Sequence, residues 1–297
     1  MPSAPFEYVR ASSWEDAVRL LADAGEDARV IAGGQSLVPM MMLRLAEPAV
    51  LVDVAGAAPR KIEHHDGVLR IGALARHVDV QESPVVRARC AVLAEAAGHI
   101  GNVRVRHRGP FGGAIAHAEP TAEWPCLAVA LGATVVVLGP NGPRQVPAGD
   151  FFVTHFTTAL EAGEVVTHVD VPLPGRGVGA AFAELNRRAG DFALAEVAAV
   201  VGLDGEGRCA EARLVVGATS ERPVDLSGAL AGLRGEPAGD RWAVEAARAA
   251  AAEAPIGSHP HASEDYRREM VAVLARRALL AAAARASAGD DGDGDRR

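Results

Sequence analysis

Two pairs of adjacent glycines, Gly33-Gly34 and Gly112-Gly113, have the residue types and the setting best suited to ligand chemistry. Each pair lies beside short side chains and ahead of an apolar segment. Glycine lets a ligand approach the backbone closely, and N–H groups from two loops can cradle a pyrophosphate without any lysine. Neither pair matches the three-glycine dinucleotide fingerprint or the Gly-Lys-Ser/Thr phosphate loop. A single glycine pair more often serves a tight turn, so the residues alone leave both interpretations open.

The other reactive residue types do not form a recognisable catalytic or metal-binding group. His64-His65 flanks a predicted hairpin turn, where both rings are expected to be solvated. The three cysteines have no Cys-x-x-Cys spacing and predict buried thiols rather than a zinc or iron–sulfur site; they are Cys90, Cys126 and Cys209. No Ser-His-Asp or paired-carboxylate arrangement can be argued. We therefore expect no catalytic residue and no metal ligand in this chain.

Three arginines alternate in the segment before the second glycine pair. In an extended segment, Arg104, Arg106 and Arg108 would share one face. That face can meet acidic groups of a partner, the phosphates of a ligand, or solvent, and the sequence does not separate these alternatives. Further along the chain, Arg188 and Asp191 predict a structural ion pair.

The elements that must position these residues begin with a β-α-β pattern. Ser13 can cap a helix over "WEDAVRLLADAG" that ends at Gly25. The apolar run "ARVIAG" predicts a strand that leads into the first glycine pair. A segment of helical composition, "SLVPMMMLRL", and a second strand, "AVLVDV", follow.

The rest of the chain predicts hairpins, a linker and an antiparallel sheet. Hairpins are predicted at Asp66-Gly67 and Asn141-Gly142, and a helix is predicted over Val85–Ala97. The Gly/Pro-rich stretch Pro174–Gly179 indicates a domain boundary. Three apolar runs after it fit antiparallel strands, and helices are expected from residue 225 to about 286. The charged tail that follows is expected to be disordered.

Composition sets the class of protein. The chain has 297 residues, of which 49% are hydrophobic and 23% charged, and these values are ordinary for globular domains. A formal charge of -8 argues against a nucleic-acid binder, which needs a basic face. No signal-peptide pattern or membrane span is recognisable, so a cytoplasmic protein is expected.

Four motifs occur in an order that resembles a known family. They are "AGGQSLVPMMMLRLAEPAVLVDV", "LRIGALARHVDV", "GNVRVRHRGPFGGAIAHAEPTAEWP" and "RRAGDFALAEVA". In this order they resemble the FAD-binding medium subunit of molybdenum hydroxylases, of the carbon monoxide dehydrogenase, nicotine dehydrogenase and xanthine dehydrogenase family. The resemblance extends to about Ala284.

The resemblance implies an α+β fold in two domains. Residues 1–176 would form an FAD-binding domain of the vanillyl-alcohol oxidase-like type, with subdomains of about 1–57 and 58–176. Residues 177–285 would form a C-terminal domain with a three-stranded antiparallel sheet and helices. Residues 286–297 would remain as the disordered tail.

The resemblance also implies which residues contact a non-covalent FAD. Two glycine boxes would hold the pyrophosphate and ribityl region; they are Ala32, Gly33, Gly34, Gln35 and Ser36, with Leu37 beside them, and Pro110, Phe111, Gly112, Gly113 and Ala114. The remaining implied contacts are His117 and Glu123 at polar positions, Leu160 near the adenine, and Ile100, Gly101 and Phe192 beside the isoalloxazine. The family usually has Thr-Ile-Gly-Gly-Asn/Ser in the second box, so Pro110 removes a backbone donor and Ala114 a side-chain hydrogen bond. Ala75 stands where a threonine is common.

The implied function is electron transfer within a complex. A large molybdopterin subunit would oxidise the substrate, a small [2Fe–2S] subunit would carry the electrons, and FAD in this chain would pass them to an external acceptor. Two alternatives stay open: a free-standing FAD-dependent oxidase or dehydrogenase, and a nucleotide-binding protein without redox function.

Overall fold

The chain begins with alternating strands and helices, as the sequence predicts. The computed structural model describes residues 3–291, and its first elements are β1 (Glu7–Arg10), α1 (Trp14–Ala24), β2 (Ala28–Ile31), α2 (Leu37–Met42) and β3 (Val50–Asp53). The strands form a parallel sheet in the order β1-β3-β2. The Asp16 backbone N–H donates to the Ser13 hydroxyl at 3.1 Å, which confirms the predicted cap of α1. The loop between β2 and α2 carries the first glycine pair.

A second sheet with helices on its face follows. Its elements are β4 (Ile62–His65), β5 (Val68–Gly72), α3 (His77–Glu82), α4 (Pro84–Arg89), α5 (Ala91–His99), α6 (Val103–Arg108), α7 (Phe111–His117), α8 (Glu123–Ala130), β6 (Thr134–Gly139), β7 (Gly142–Pro147), α9 (Ala148–Phe151), β8 (Phe152–Thr154), β9 (Thr157–Thr158) and β10 (Val165–Pro172). Five strands pair antiparallel in the order β4-β5-β10-β6-β7, and β8 pairs with β9. Both predicted hairpins are present, although the turn of the second is Pro140-Asn141, with Gly142 in the strand.

The last part of the chain is an antiparallel sheet covered by two long helices. Its elements are β11 (Val178–Asn186), β12 (Ala193–Leu203), β13 (Cys209–Gly217), β14 (Val224–Asp225), α10 (Asp240–Glu253) and α11 (Glu264–Asp291). The central strand β12 is buried along nearly its whole length, because α8 packs on one face of the sheet and α11 on the other. No helix in the part of the chain that the structure describes is long and apolar enough to cross a membrane.

Small residues allow this close packing. The backbone of α11 lies so near β11 that a Cβ on Gly179 would come within 2.6 Å of the Ala286 nitrogen. The alanines of β12, α10 and α11 form one apolar core, while a second core lies between the five-stranded sheet and helices α5 and α8. The high alanine content therefore reflects close helix–sheet contacts.

Four local predictions are wrong. The helix expected over residues 85–97 is two helices separated at Cys90, and the C-terminal sheet has a short fourth strand, β14. The alternating arginines lie on the helix α6, whose first N–H groups are capped by the Asn102 side chain, rather than on an extended segment. The expected disordered tail is helical in α11 as far as Asp291, and its remainder, 292–297, lies outside the described residues.

Candidate cofactor site

One cavity of about 1050 Å³ lies among the three larger sheets. Its wall is formed by loops from the first sheet, helices and strands of the second, and loops of the C-terminal part, and such junctions are preferred places for ligands. It includes most of the residues named from the sequence: Ala32, Gly33, Gly34, Gln35, Ser36, Leu37, Ile100, Gly101, Pro110, Gly112, Gly113, Ala114, His117, Glu123, Leu160 and Phe192. The structure thus brings together residues that are far apart in the chain.

The first glycine loop connects β2 to α2 along the cavity. Gly34 has φ +67°, a left-handed conformation that favours glycine. The Gln35 side-chain amide donates to the Gly33 carbonyl at 2.8 Å and closes the turn. Gly33 itself lies against the second glycine box, since a Cβ there would come within 2.6 Å of Pro110 Cδ. The two boxes are therefore in direct contact.

The second glycine box is fixed to the end of β5. The backbone N–H groups of Phe111 and Gly112 donate to the carbonyls of Ala75 and Ala73, at 2.7 and 2.9 Å. Gly112 is buried there, and a Cβ on it would lie 2.6 Å from Ala73 Cα. These two donors hold the loop in place and are not free for an anion. Gly113 is exposed on the cavity wall.

Phe111, which the resemblance implies as an FAD contact, does not line the cavity. Its side chain is 2% exposed and packs against Trp124, with ring centroids 4.8 Å apart. The residue therefore supports the wall from behind. Trp124 itself reaches the cavity, and its Nε1–H donates to Nδ1 of His77 at 3.0 Å.

His77 is a neutral part of the cavity wall. Burial lowers its pKa to about 4, and the positive charge of Arg106 acts in the same direction. Because Nδ1 accepts the Trp124 hydrogen bond, the neutral ring carries its proton on Nε2. Nε2 lies beside Gly109, where a Cβ would be 2.7 Å away. Glycine at position 109 therefore makes room for this ring.

Two titratable residues implied as FAD contacts are partly buried. Burial raises the pKa of Glu123 to about 7, and the negative charge of Glu184 adds to the rise. Glu184 is paired with His99, whose Nδ1 lies 3.2 Å from Oε1. Burial lowers the pKa of His117, whose ring packs on Phe156 with centroids 5.0 Å apart. Near neutral pH, Glu123 can therefore either donate or accept a hydrogen bond.

One end of the cavity is formed by two loops from different parts of the chain. Arg106 donates to the carbonyls of Ile100 and Gly101, at 3.0 and 2.9 Å, and so fixes this turn, in which Gly101 has φ +46°. A Cβ on Gly190 would lie 2.7 Å from the Gly101 oxygen, so the two loops touch through backbone atoms. Phe192 follows on the same loop with its side chain 70% exposed.

Several cavity residues were not identified from the sequence. They are aromatic, basic or histidine side chains from distant elements: Trp14, Arg29, His77, Trp124, Phe156, Arg187, His259 and His261. Only the pair of histidines around Pro260 is unusual enough in type and spacing to have been a signal. Among residues 3–291, no group of three His, Cys, Asp or Glu side chains is arranged to hold a metal ion.

Comparison with known proteins gives a consistent result. Residues 4–174 match the family model of the FAD binding domain in molybdopterin dehydrogenase, and residues 180–282 match that of the CO dehydrogenase flavoprotein C-terminal domain. The 6-hydroxypseudooxynicotine dehydrogenase complex subunit alpha of Paenarthrobacter nicotinovorans is 38% identical, over 96% of this chain and 97% of that protein. The carbon monoxide dehydrogenase medium chain of Hydrogenophaga pseudoflava is 38% identical, over 94% and 98%.

The fold agrees with the sequence matches. A solved structure of carbon monoxide dehydrogenase from Hydrogenophaga pseudoflava, which lacks the Mo-pyranopterin moiety of its cofactor, contains a similar chain. It superposes with a TM-score of 0.91 at 38% identity, over 96% of this chain and 99% of that one. Because both family models match in order and the similarity spans nearly the whole length, the chain belongs to the family of FAD-binding medium subunits of molybdenum hydroxylases.

Proposed function

We propose that this chain carries the FAD of a three-subunit molybdenum hydroxylase and passes electrons from partner [2Fe–2S] clusters to an external acceptor. The observation that carries the proposal is the cavity of about 1050 Å³ whose wall contains residues of both glycine boxes and of the Phe192 loop. Residues 1–176 would bind the cofactor, in subdomains of about 1–57 and 58–176, and residues 177–285 would complete the site from the other side.

The residues of the cavity fit a dinucleotide. The pyrophosphate would lie against the Gly33–Leu37 loop and Gly113-Ala114, because Phe111 and Gly112 use their N–H groups within the protein. Exposed Gly113 leaves the wall open there, and a Cβ on it would approach Pro110 Cγ to 2.9 Å and narrow the cradle. Leu160 would contact the adenine, and His117 and Glu123 would be polar contacts. We assign Ile100, Gly101 and Phe192 to the isoalloxazine.

The protein's own contribution is binding and orientation. Bound FAD supplies chemistry that links one-electron and two-electron carriers. The Arg106 hydrogen bonds hold the Ile100–Gly101 turn, which would fix the position of the ring system. His77 and Trp124 form a buried neutral pair at the wall and exclude water from it. No side chain of this chain is assigned a proton transfer or a covalent bond to substrate.

The proposed path requires partners. Cys90, Cys126 and Cys209 are free and buried, so they cannot ligate two [2Fe–2S] clusters. The clusters and the molybdopterin would therefore be held by a small and a large subunit, as the complex names of the relatives suggest. We propose a cytoplasmic complex.

The test combines cofactor identity with partner dependence. The purified chain should be yellow and should release FAD, not FMN, on heat denaturation, as chromatography would show. Flavin bleaching by substrate should occur only when the candidate small and large subunits are co-expressed. Recovery of FMN alone would contradict the dinucleotide fit. Bleaching of the isolated chain by substrate would favour the free-standing oxidase instead.

A further inference from the structure

The rim of the cavity beside Phe192 carries basic groups that the electron path described above does not use. Arg187 and the loop His259-Pro260-His261 line the cavity at this end, together with Gly190 and Phe192. Arg187 is exposed and forms no ion pair with any residue between 3 and 291. The next residue, Arg188, is different: it lies 3.8 Å from Asp191 and is not part of the cavity wall.

A buried arginine fixes this rim from behind. Arg267 on α11 is 3% exposed and donates to the backbone carbonyls of Leu194 at 2.9 Å and Gly257 at 2.6 Å, and to that of Ala218. These bonds tie the histidine loop to the ends of β12 and β13. All three acceptors are neutral carbonyls, so the positive charge of Arg267 is not cancelled by a bonded carboxylate.

The charges of the rim act on one another. Burial lowers the pKa of His259, and its neighbours Arg267, His261 and Arg187 act in the same direction. The rings of His259 and His261 are 5.7 Å apart, and the His261 backbone N–H donates to Nδ1 of His259 at 3.1 Å. Two acidic residues counter part of this charge: Asp191, which lies 3.8 Å from Arg188, and Glu264 at the start of α11, which acts on Arg267. The rim therefore has excess positive charge and two imidazoles next to an exposed aromatic ring.

We propose that Arg187 and the His259–His261 loop bind the negatively charged group of a small-molecule electron acceptor, while Phe192 contacts its flat ring. This proposal rests on the proposed function, because the acceptor must approach the isoalloxazine end of the cavity. A positive rim raises the local concentration of anions and their association rate, and it does so less at high ionic strength. The anion can be a phosphate of a dinucleotide or the ionised group of a quinone-like dye, and the shared chemistry is a flat oxidant with negative charge.

The test uses the FAD-loaded full chain, photoreduced without oxygen and mixed with a two-electron dye in a stopped-flow instrument. Reduced FAD gives two electrons to each dye molecule; dichlorophenolindophenol also takes up two protons and methylene blue one, and these protons come from reduced FAD and water, so no further reactant is needed. Dichlorophenolindophenol supplies an anion and methylene blue a cation. For R187Q, the rate constant with the anionic dye should fall by about fivefold at low ionic strength, and with the cationic dye it should not fall. R187K should keep the parental rate, and the matched control R188Q should behave like the parent.

The possible results separate the two proposals. A chain that takes up no FAD refutes the proposed function and this inference with it. A yellow R187Q protein whose anionic-dye rate equals that of the parent refutes the inference alone. Loss of FAD from R187Q would reassign the arginine to the cofactor phosphates and would also overturn the acceptor site.

Discussion

Because Glu196 is buried, we expect the protein to lose stability as the pH rises. This residue on β12 is fully buried, and among residues 3–291 neither carboxyl oxygen has a hydrogen-bond partner. It pairs across the sheet with Glu184 on β11 and with Gly217 on β13. A Cβ on Gly217 would lie 2.8 Å from the Glu196 carboxyl carbon, so a side chain at position 217 would displace this carboxyl group.

Burial raises the pKa of Glu196 well above its usual range, and the negative charges of Glu123, Glu184 and Glu119 add to the rise. The folded state therefore holds a proton that the unfolded chain releases above a pKa of about 4.3. A carboxyl with a raised pKa stabilises the fold fully below the unfolded pKa, and this stability is lost as the pH rises towards the folded pKa. The loss amounts to about 1.4 kcal/mol for each pH unit in that interval.

The change that isolates this effect is E196Q, which keeps the shape and removes the titration. We expect the free energy of unfolding of the parent, relative to E196Q, to fall by about 2 kcal/mol between pH 5.5 and 7. Urea unfolding followed by circular dichroism, at one fixed FAD concentration, measures this difference. E211Q is the matched control, because Glu211 is an exposed carboxylate in the same sheet. Equal pH dependence of the parent and E196Q would refute the reasoning.

Four further substitutions test the site and the fold. In the second glycine box, G112A should lower the free energy of unfolding by about 1–3 kcal/mol through its clash with Ala73, whereas G113A should keep stability and weaken FAD binding about tenfold or more. Urea unfolding measures the first effect and flavin fluorescence titration the second. Equal FAD affinity of G113A and the parent would remove Gly113 from the site. F192A should alter the flavin absorbance. It should change the free energy of unfolding by less than about 0.5 kcal/mol, because Phe192 is 70% exposed. An unchanged flavin spectrum would mean that Phe192 does not contact the flavin. S13A should cost about 1 kcal/mol of unfolding free energy by removing the cap of α1, and an unchanged urea midpoint would contradict the assigned cap.

The predictable parts of the fold are those specified by local chemistry. The Ser13 cap, the Asp66-Gly67 turn and the alternation of strands and helices at the start follow from short-range preferences, and the structure confirms them. The segment of α6 was misread because Val and Arg alternate there as in a strand. Its helix begins because the Asn102 side chain accepts from the backbone N–H groups of Arg104 and Val105, and a capping residue outweighs an alternation only a few residues long.

The candidate site was predicted mainly from the family resemblance. Short-range sequence patterns cannot show which distant residues meet in it. His77 and Trp124 are 47 residues apart in the chain, and Arg187 and His259 line the same cavity only because β12, β13 and α10 return the chain to it. Glu196 lies in the run "FALAEVAAVVGL", where it looks like an exposed position of a strand. Its burial on both faces results from the packing of α8 and α11 on the sheet, which no short-range signal contains.

The contacts of the four glycines explain why each box has two adjacent glycines. In both pairs the first glycine is needed for packing: Gly33 lies against Pro110, and Gly112 lies against Ala73. The second glycine of each pair, Gly34 or Gly113, lines the cavity without such a buried backbone contact. A side chain on the first would separate the two boxes or detach one from β5, and a side chain on the second would narrow the cradle. Close packing and access to the cavity therefore depend on different residues of the same pair, and in the first pair Gly34 also supplies the φ of +67° that the turn requires.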